Sequence, residues 1–481
     1  MNQAFGGGEP ILAESQPQGR TGRPKKKPAG DPGGMAVLAN RPFLLLWLAQ
    51  LSTQVGGNMV IYGLTIIITS AYASATAVSA LLLCFLVPAI VFSALAGVFV
   101  DRVDKRHMLL VTNILRGFAF LGIVFVGNNL VGVYLLMAAV STITTFFGPA
   151  EASMIPFLVP RSQLLAANGL FTVTTNIAFA LGFALLGPFV VAVANAELLI
   201  VIVAALYFVA AAFCWTLPAD PPAVAGAASA DQTVADAEKA VETMFGQFVE
   251  GMAYIRHNPS VSWSLSYLGI TGALIGILGV LGPGYARTTL ALGEKDFALI
   301  VLPLGLGIVT GITLLNAYGK YLPRRRTIEV GMITIGVLLA LLSVAGPVSH
   351  FLEERAASQG LAEASRIVSL LSMVMAIAFL VGGGYAVVAI SSQTQLQEEL
   401  PEEVRGRVFG VLNMLVSVAS LAPIIIVGPV ADLVGASTVI LVVGGLVSLS
   451  GLASIASGSR KPRIAAAPVA ESGGGSEGSG A

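Results

Sequence analysis

Charge is scarce in this chain of 481 residues. Asp, Glu, Lys and Arg together make up 11% of it, against about 25% in soluble proteins. Hydrophobic residues make up 56%. Polar groups are too few to cover a globular surface, so lipid must be the outer solvent. An excess of basic charge is also missing. Lys and Arg number 26, as do Asp and Glu, so no bulk charge points to nucleic acid. The two cysteines, Cys84 and Cys214, lie in apolar runs and offer neither a disulfide framework nor a metal cluster. Three histidines do not make a metal site. The string Gly-x-x-x-x-Gly-Lys-[Ser/Thr] is absent, which leaves ATP-driven pumping without support. His-Glu-x-x-His and Gly-x-Ser-x-Gly are absent too, so no catalytic residue, metal or cofactor is expected. Gly305-x-Gly307-x-x-x-Gly311 is no dinucleotide fingerprint. It contains a small-xxx-small pair and reads as close helix packing.

Long apolar runs are abundant instead. A bilayer core needs about 20 apolar residues per helix. Runs of that kind lie near 43–72, 77–100, 108–127, 130–150, 164–193, 195–217, 261–287, 296–318, 327–347, 366–393, 407–432 and 436–457, twelve in all. They are too long for the strands of a membrane barrel and lack its alternation. The expected fold is all-α, with twelve transmembrane helices. Residues 1–41 are polar and carry Arg20, Arg23, Lys25, Lys26 and Lys27, and read as a disordered tail. Residues 458–481 are rich in Gly, Ser and Ala and read as a second one.

Lys and Arg placement gives the expected orientation. With the N-terminus inside, 21 basic residues fall in inner segments and four outside: Arg287, Lys295, Arg355 and Arg366. Both termini are then cytoplasmic, in a multi-pass protein of the plasma membrane.

The longest polar inner loop, 218–259, divides the spans into two sets of six: residues 42–217 and 260–457. Phe245, Phe248, Val249, Met252 and Ile255 within it suit an interfacial amphipathic helix. The halves share punctuation. Pro160 precedes span 5 and Gly187-Pro188 lies within it; Pro401 precedes span 11 and Gly428-Pro429 lies within it. Both Pro-to-Pro spacings are 28 residues. Two packed six-helix halves make a transporter architecture, with substrate bound near the midplane and access alternating as the halves rock.

After span 2 comes Gly97-Val-Phe-Val-Asp101-Arg102-Val-Asp-Lys105-Arg106. Gly97 would let two helices approach closely, and Asp101 could pair with an Arg or a helix N-terminus. The string resembles the signature of the major facilitator superfamily, Gly-x-x-x-Asp-Arg-x-x-Arg/Lys-Arg/Lys. In that family it latches the halves together on the cytoplasmic side in the outward-open state. The equivalent loop in the second half, Gly319 to Arg326, keeps the Gly and the basic run without the Asp. The likeness covers residues 40–457 and extends to the macrolide-efflux and enterobactin-exporter branch. It rests there on Leu46-Trp47-Leu48-Ala49-Gln50, on Phe147-Gly148-Pro149-Ala150 with Pro156 and Ala167-Asn168, on Val404-Arg405-Gly406-Arg407-Val408-Phe409-Gly410, and on Gly428-Pro429-Val-Ala-Asp432. Gly182-x-x-x-x-Gly187-Pro188 in span 5 resembles the antiporter motif of drug exporters, in which Gly and Pro shape the gating helix.

Polar residues inside spans are functional candidates. Gln50, Gln54 and Asn58 form one stripe on span 1, and would line the cavity or bond between helices. Arg116 is the one clear charge within a span, facing the cavity or snorkelling to the inner interface. No carboxylate stands at mid-span, and Asn58 follows Gly57 where members of the branch often place Asp. Glu151 and Asp432, read near span ends, are the nearest candidates for proton coupling, with structural roles as the alternative. The resemblance implies a monomeric exporter of a small amphipathic molecule (a drug, macrolide or siderophore-like compound) by alternating access and proton antiport. A lipid or lysophospholipid transporter on the same fold, or an uncoupled facilitator, is the alternative.

Overall fold

The computed structural model describes residues 34–100, 102–219, 246, 249, 259–290, 292–293, 296–358, 370–399 and 421–458. Among these, eleven helices are long and apolar enough to cross a membrane, and a shorter apolar helix covers Leu421–Val434. They are α1 (Arg41–Tyr72), α2 (Ala75–Val100), α3 (Lys105–Val126), α4 (Leu130–Leu158), α5 (Arg161–Val193), α6 (Ala196–Trp215), α7 (Pro259–Thr289), α8 (Ala298–Tyr318), α9 (Arg324–Ser358), α10 (Leu370–Glu399), α11 (Leu421–Val434) and α12 (Ala436–Gly458). The fold is the all-α membrane bundle expected. Residues 1–33, most of 220–258 and residues 459–481 lie outside the described residues. So do Asp101, Arg405, Gly406, Arg407 and the first part of span 11.

The helix ends follow local chemistry. Asn129 caps α4 by accepting from the Gly132 N–H at 3.2 Å, and Asn195 caps α6 by accepting from the Leu198 N–H at 2.7 Å. Pro42 occupies the first turn of α1, where its missing N–H costs nothing. α4 departs from expectation. It does not end near residue 150 but continues to Leu158 through Pro149 and Pro156. In a membrane helix, neighbouring groups can absorb the bond that Pro removes. The consequence is positional: Glu151 sits inside a helix, not at its end.

Within each half, helices pack in a parallel scheme. α1 and α3 lie on α6, and α2 and α3 on α4; α9 lies on α10 and α12, and α8 on α10. The glycine run of α8 is a packing face, as its spacing indicated. A Cβ at Gly307 would lie 1.9 Å from the Phe379 carbonyl oxygen, and one at Gly382 on α10 would lie 2.0 Å from that of Leu304. Backbone meets backbone there, and no side chain fits between.

Between the halves, the Gly-Pro helix of one meets the second helix of the other. α5 rests on α8, where a Cβ at Gly305 would fall 2.4 Å from Cβ of Ala184. α11 rests on α2, where a Cβ at Gly428 would fall 2.3 Å from Oγ of Ser79. The repeated Gly-Pro thus marks a repeated contact.

Candidate functional site

α5 carries the motif Gly182-x-x-x-x-Gly187-Pro188. Its backbone is α-helical over Leu164–Phe179, π-helical over Ala180–Leu186 and α-helical again over Gly187–Val193. The Gly187 N–H donates to the Gly182 carbonyl, a bond across five residues, so the motif's spacing equals the π-helical step. Both glycines also hold α5 against α1. A Cβ at Gly182 would lie 2.5 Å from the Val55 carbonyl oxygen, and one at Gly187 would lie 3.1 Å from Cβ of Tyr62. The π turn is therefore held between α1 of its own half and α8 of the other.

The bundle face carrying the α1–α2 turn joins the halves by hydrogen bonds. Asp432 on α11 reaches the first turn of α2 and accepts from Ser74 Oγ at 2.8 Å, the Ala75 N–H at 2.8 Å, the Thr76 N–H at 3.0 Å and Thr76 Oγ1 at 2.6 Å. A helix N-terminus leaves backbone N–H groups unpaired, and a carboxylate there gains both bonds and dipole. Here one half supplies the cap for a helix of the other. Arg287 on α7 adds a bond to the Thr69 carbonyl of α1 at 3.1 Å. Asp432 is thus fully engaged at an exposed helix end, away from the bundle interior.

At the opposite face, each half ties its own helices together. Asp104 caps α3, accepting from the Arg106 N–H at 2.9 Å and pairing with His107 Nδ1 at 2.8 Å. Burial raises its carboxyl, but the bonds from His107 and the backbone outweigh this and hold it below the usual carboxylate range. Arg106 donates to the Trp215 carbonyl at the end of α6. In the other half, Arg325 meets Glu329 at 2.9 Å and the Ser454 carbonyl at 2.9 Å, while Ser454 Oγ donates to Glu329 at 2.6 Å. Asp104 was not singled out from the sequence, although an Asp immediately before a helix is a capping signal. Arg325 and Glu329 have the i,i+4 spacing of a helical ion pair. Among the described residues a Cβ at Gly97 would meet nothing within 4 Å, so the close approach expected of it is not seen among them.

The polar residues expected in one cavity are separated. Gln50 is buried between α1 and α5, with Nε2 3.4 Å from Thr175 Oγ1 and 3.5 Å from the Phe171 carbonyl. It serves the interhelical alternative. Gln54 and Asn58 are half-buried, and Asn58 Nδ2 donates to the Gln54 carbonyl at 2.8 Å. Arg116 neither lines an open cavity nor snorkels. Its residue is 2% exposed, and its Nη2 donates to Asn113 Oδ1 at 2.7 Å. The guanidinium carbon lies 4.3 Å from the Phe147 ring centre and 4.7 Å from that of Tyr207, a cation–π sandwich. The Tyr207 hydroxyl donates to the Thr53 carbonyl at 3.2 Å, so this ring stands between Arg116 and α1.

Glu151 belongs to the same cluster. It is buried, and Arg116 is the charge that acts on it. Its Oε1 is a fully buried carboxylate oxygen without a hydrogen-bond partner among the described residues. Arg116 on α3, Glu151 on α4, and Tyr207 and Cys214 on α6 therefore form one buried titratable group inside the first half. The sequence showed Arg116 and Glu151 separately but not that they are buried in one cluster, because the apolar run ends near residue 150 while the helix continues to Leu158. No group of residues suited to a metal occurs among the described residues.

Comparison with known proteins agrees with this architecture. The family model of the Major Facilitator Superfamily matches residues 46–423. The multidrug efflux pump Tap of Mycolicibacterium fortuitum is 24% identical over 412 residues, covering 82% of this chain and 90% of that protein. A Bacillus subtilis (strain 168) protein bearing the name bacilysin exporter BacE is 25% identical over 351 residues, covering 71% of this chain and 77% of its own. In three dimensions the nucleoside transporter NupG superposes with a TM-score of 0.61 at 15% identity, over 87% of this chain and all of that one. Two six-helix sets joined through paired Gly-Pro helices, and a family match along most of the length, lead to one conclusion: the chain belongs to the Major Facilitator Superfamily, as a multi-pass membrane transporter and not an enzyme.

Proposed function

We propose that this transporter exports a small amphipathic molecule from the cell by alternating access, with the proton as counter-ion and the terminal tails cytoplasmic. The efflux names of its relatives support export. The observation that carries the coupling is the unpartnered Oε1 of Glu151, buried within reach of Arg116's charge. Ionised, the carboxylate faces a cation; protonated, it leaves Arg116 to Asn113 and two aromatic rings. Any rocking motion that changes the Arg116–Glu151 spacing changes proton affinity, and a counter-ion drives transport only when its binding differs between states.

Asp432 acts in this reading as the latch of the outer face, not as a proton carrier. Asp432→Ala removes four bonds at once and should shift the population toward the state open on that face. Labelling of a Cys placed at Ser70, in a background without Cys84 and Cys214, by a water-soluble thiol reagent should then rise several-fold; unchanged labelling would refute the latch. Asp101, with Gly97, Arg102, Lys105 and Arg106, is assigned the opposite latch. Asp101→Asn should cut transport with expression near normal, and a wild-type rate would reduce the string to a topology signal.

Export itself is tested in inverted membrane vesicles with a panel of neutral drugs, macrolides and siderophores under an imposed pH gradient. Accumulation of at least one amphipathic compound above vesicles lacking the protein is expected. Accumulation of none, or of lysophospholipids alone, would overturn it.

A further inference from the structure

Two cavities share one wall beneath the face that carries the α1–α2 turn. One, of about 250 Å³, is bounded by Thr69 and Ser70 at the end of α1, by Arg287 on α7, and by Leu292 and Gly293 beyond it. The second, of about 80 Å³, lies inside the other half among Leu278, Gly279, Leu304, Leu339, Val381 and Ile440. Tyr62 and Thr65 of α1, one turn deeper than Ile66 and Thr69, bound its near side with Phe183 of α5. Phe297 borders both cavities.

The inner cavity is nearly devoid of free polar groups. Tyr285 donates its hydroxyl to the Leu342 carbonyl at 2.8 Å, and Thr65 donates its own to the Ile61 carbonyl at 2.7 Å. No charged residue is among the described residues that line it. The exception is Tyr62: the residue is 1% exposed and its hydroxyl has no partner among the described residues. Its ring stacks on Phe297, with centres 5.9 Å apart and planes 10° apart, and Phe183 meets it edge-on at 5.9 Å. An apolar cavity of this kind stays dry and takes apolar guests. A buried hydroxyl without a partner is a cost that an acceptor on the guest would remove.

We propose that the inner cavity is a recognition subsite for a compact, uncharged aryl or branched-alkyl group of the transported molecule, with a carbonyl or ether oxygen accepting from Tyr62. This rests on the export reading above and adds the substrate class to it. The volume sets the scale. Cavities of about 150 Å³ hold benzene, so at about 80 Å³ the inner cavity takes a branched-alkyl group as it stands, and an aryl ring only when Phe297 turns and joins it to the outer cavity. The Phe297–Tyr62 stack is the door to the larger, more polar outer cavity. No carboxylate is among the described residues that line the two cavities.

Benzophenone, a neutral diaryl ketone that cross-links under light, tests the assignment on the full chain in lipid nanodiscs. Cross-links should map to α7 and α8. Gly279 lines the cavity, and among the described residues a Cβ built on it meets nothing within 4 Å, so Gly279→Leu fills the space without a clash against their backbone. Labelling should fall at least about tenfold while the melting temperature holds. Tyr62→Phe keeps the ring and removes the donor. It should weaken benzophenone about tenfold and leave competition by diphenylmethane, which has no acceptor, unchanged. Undiminished labelling in Gly279→Leu, equal losses for both probes in Tyr62→Phe, or competition by benzyltrimethylammonium as strong as by diphenylmethane would overturn the proposal. The readout is binding, so failure of the export assay would leave it standing.

Discussion

Glu151→Gln is expected to abolish uphill export and to leave downhill exchange near the wild-type rate. Gln keeps the size and the capacity to bond but cannot exchange a proton. Arg116, Tyr207 and Cys214 are the titratable groups that share the site, and none of them replaces a carboxyl as proton carrier. The substrate would still move between the halves, but only down its own gradient. Glu151→Asp, which keeps the titratable group, should retain part of the coupling. Both rates are read in proteoliposomes, with an outward substrate gradient for exchange and an imposed pH gradient for accumulation. Accumulation by Glu151→Gln at the wild-type level would remove Glu151 from the coupling step. Loss of exchange together with accumulation, in protein that elutes as the wild type does, would make its role structural.

The second large effect concerns folding. Gly307→Val and Gly382→Val should each leave little folded protein. A side chain at either position would have to pass through the facing carbonyl, 1.9 Å and 2.0 Å from the first added carbon. Ordinary overpacking costs about 1–3 kcal/mol, and this contact is tighter, because rigid backbone rather than a flexible side-chain end stands in the way. α8 would have to lift off α10, opening the second half along the line that also bounds the inner cavity. Gly445→Val is the control, since among the described residues a Cβ there meets nothing within 4 Å. Size-exclusion profiles of detergent extracts should show the wild-type peak for Gly445→Val and loss of it for the other two. A normal peak for Gly307→Val would mean that the helices stand further apart.

Much of this architecture is legible in the chain because membrane helices announce themselves locally. Eleven long apolar helices, with Leu421–Val434 at the place of the twelfth, match the twelve runs. The Gly-Pro pairs marked contacts between halves, and the small-xxx-small run of α8 marked a contact within one, because close backbone approach leaves small residues as its trace. The site was less legible, for a physical reason. Asp432 caps a helix that begins more than 350 residues earlier, as its bond to Ser74 shows, and no local pattern encodes that distance. Arg116 and Glu151 were each visible, but their burial in one cluster depends on α4 running through Pro149 to Leu158, where a Pro in water would end the helix. Gln50, Gln54 and Asn58 share a stripe by period, yet neighbouring side chains decide which of them is buried. The empty position beside Tyr62 could not be read at all, because a cavity is made of what fails to meet.

The account's central claim is that export runs on the proton gradient. Inverted vesicles containing the protein and a transported compound test it most directly, when nigericin in potassium buffer collapses the pH gradient while the membrane potential is held. The account predicts that accumulated compound leaks back to its equilibrium level, as it would from the start with Glu151→Gln. Accumulation that continues unchanged after the pH gradient is gone would contradict it.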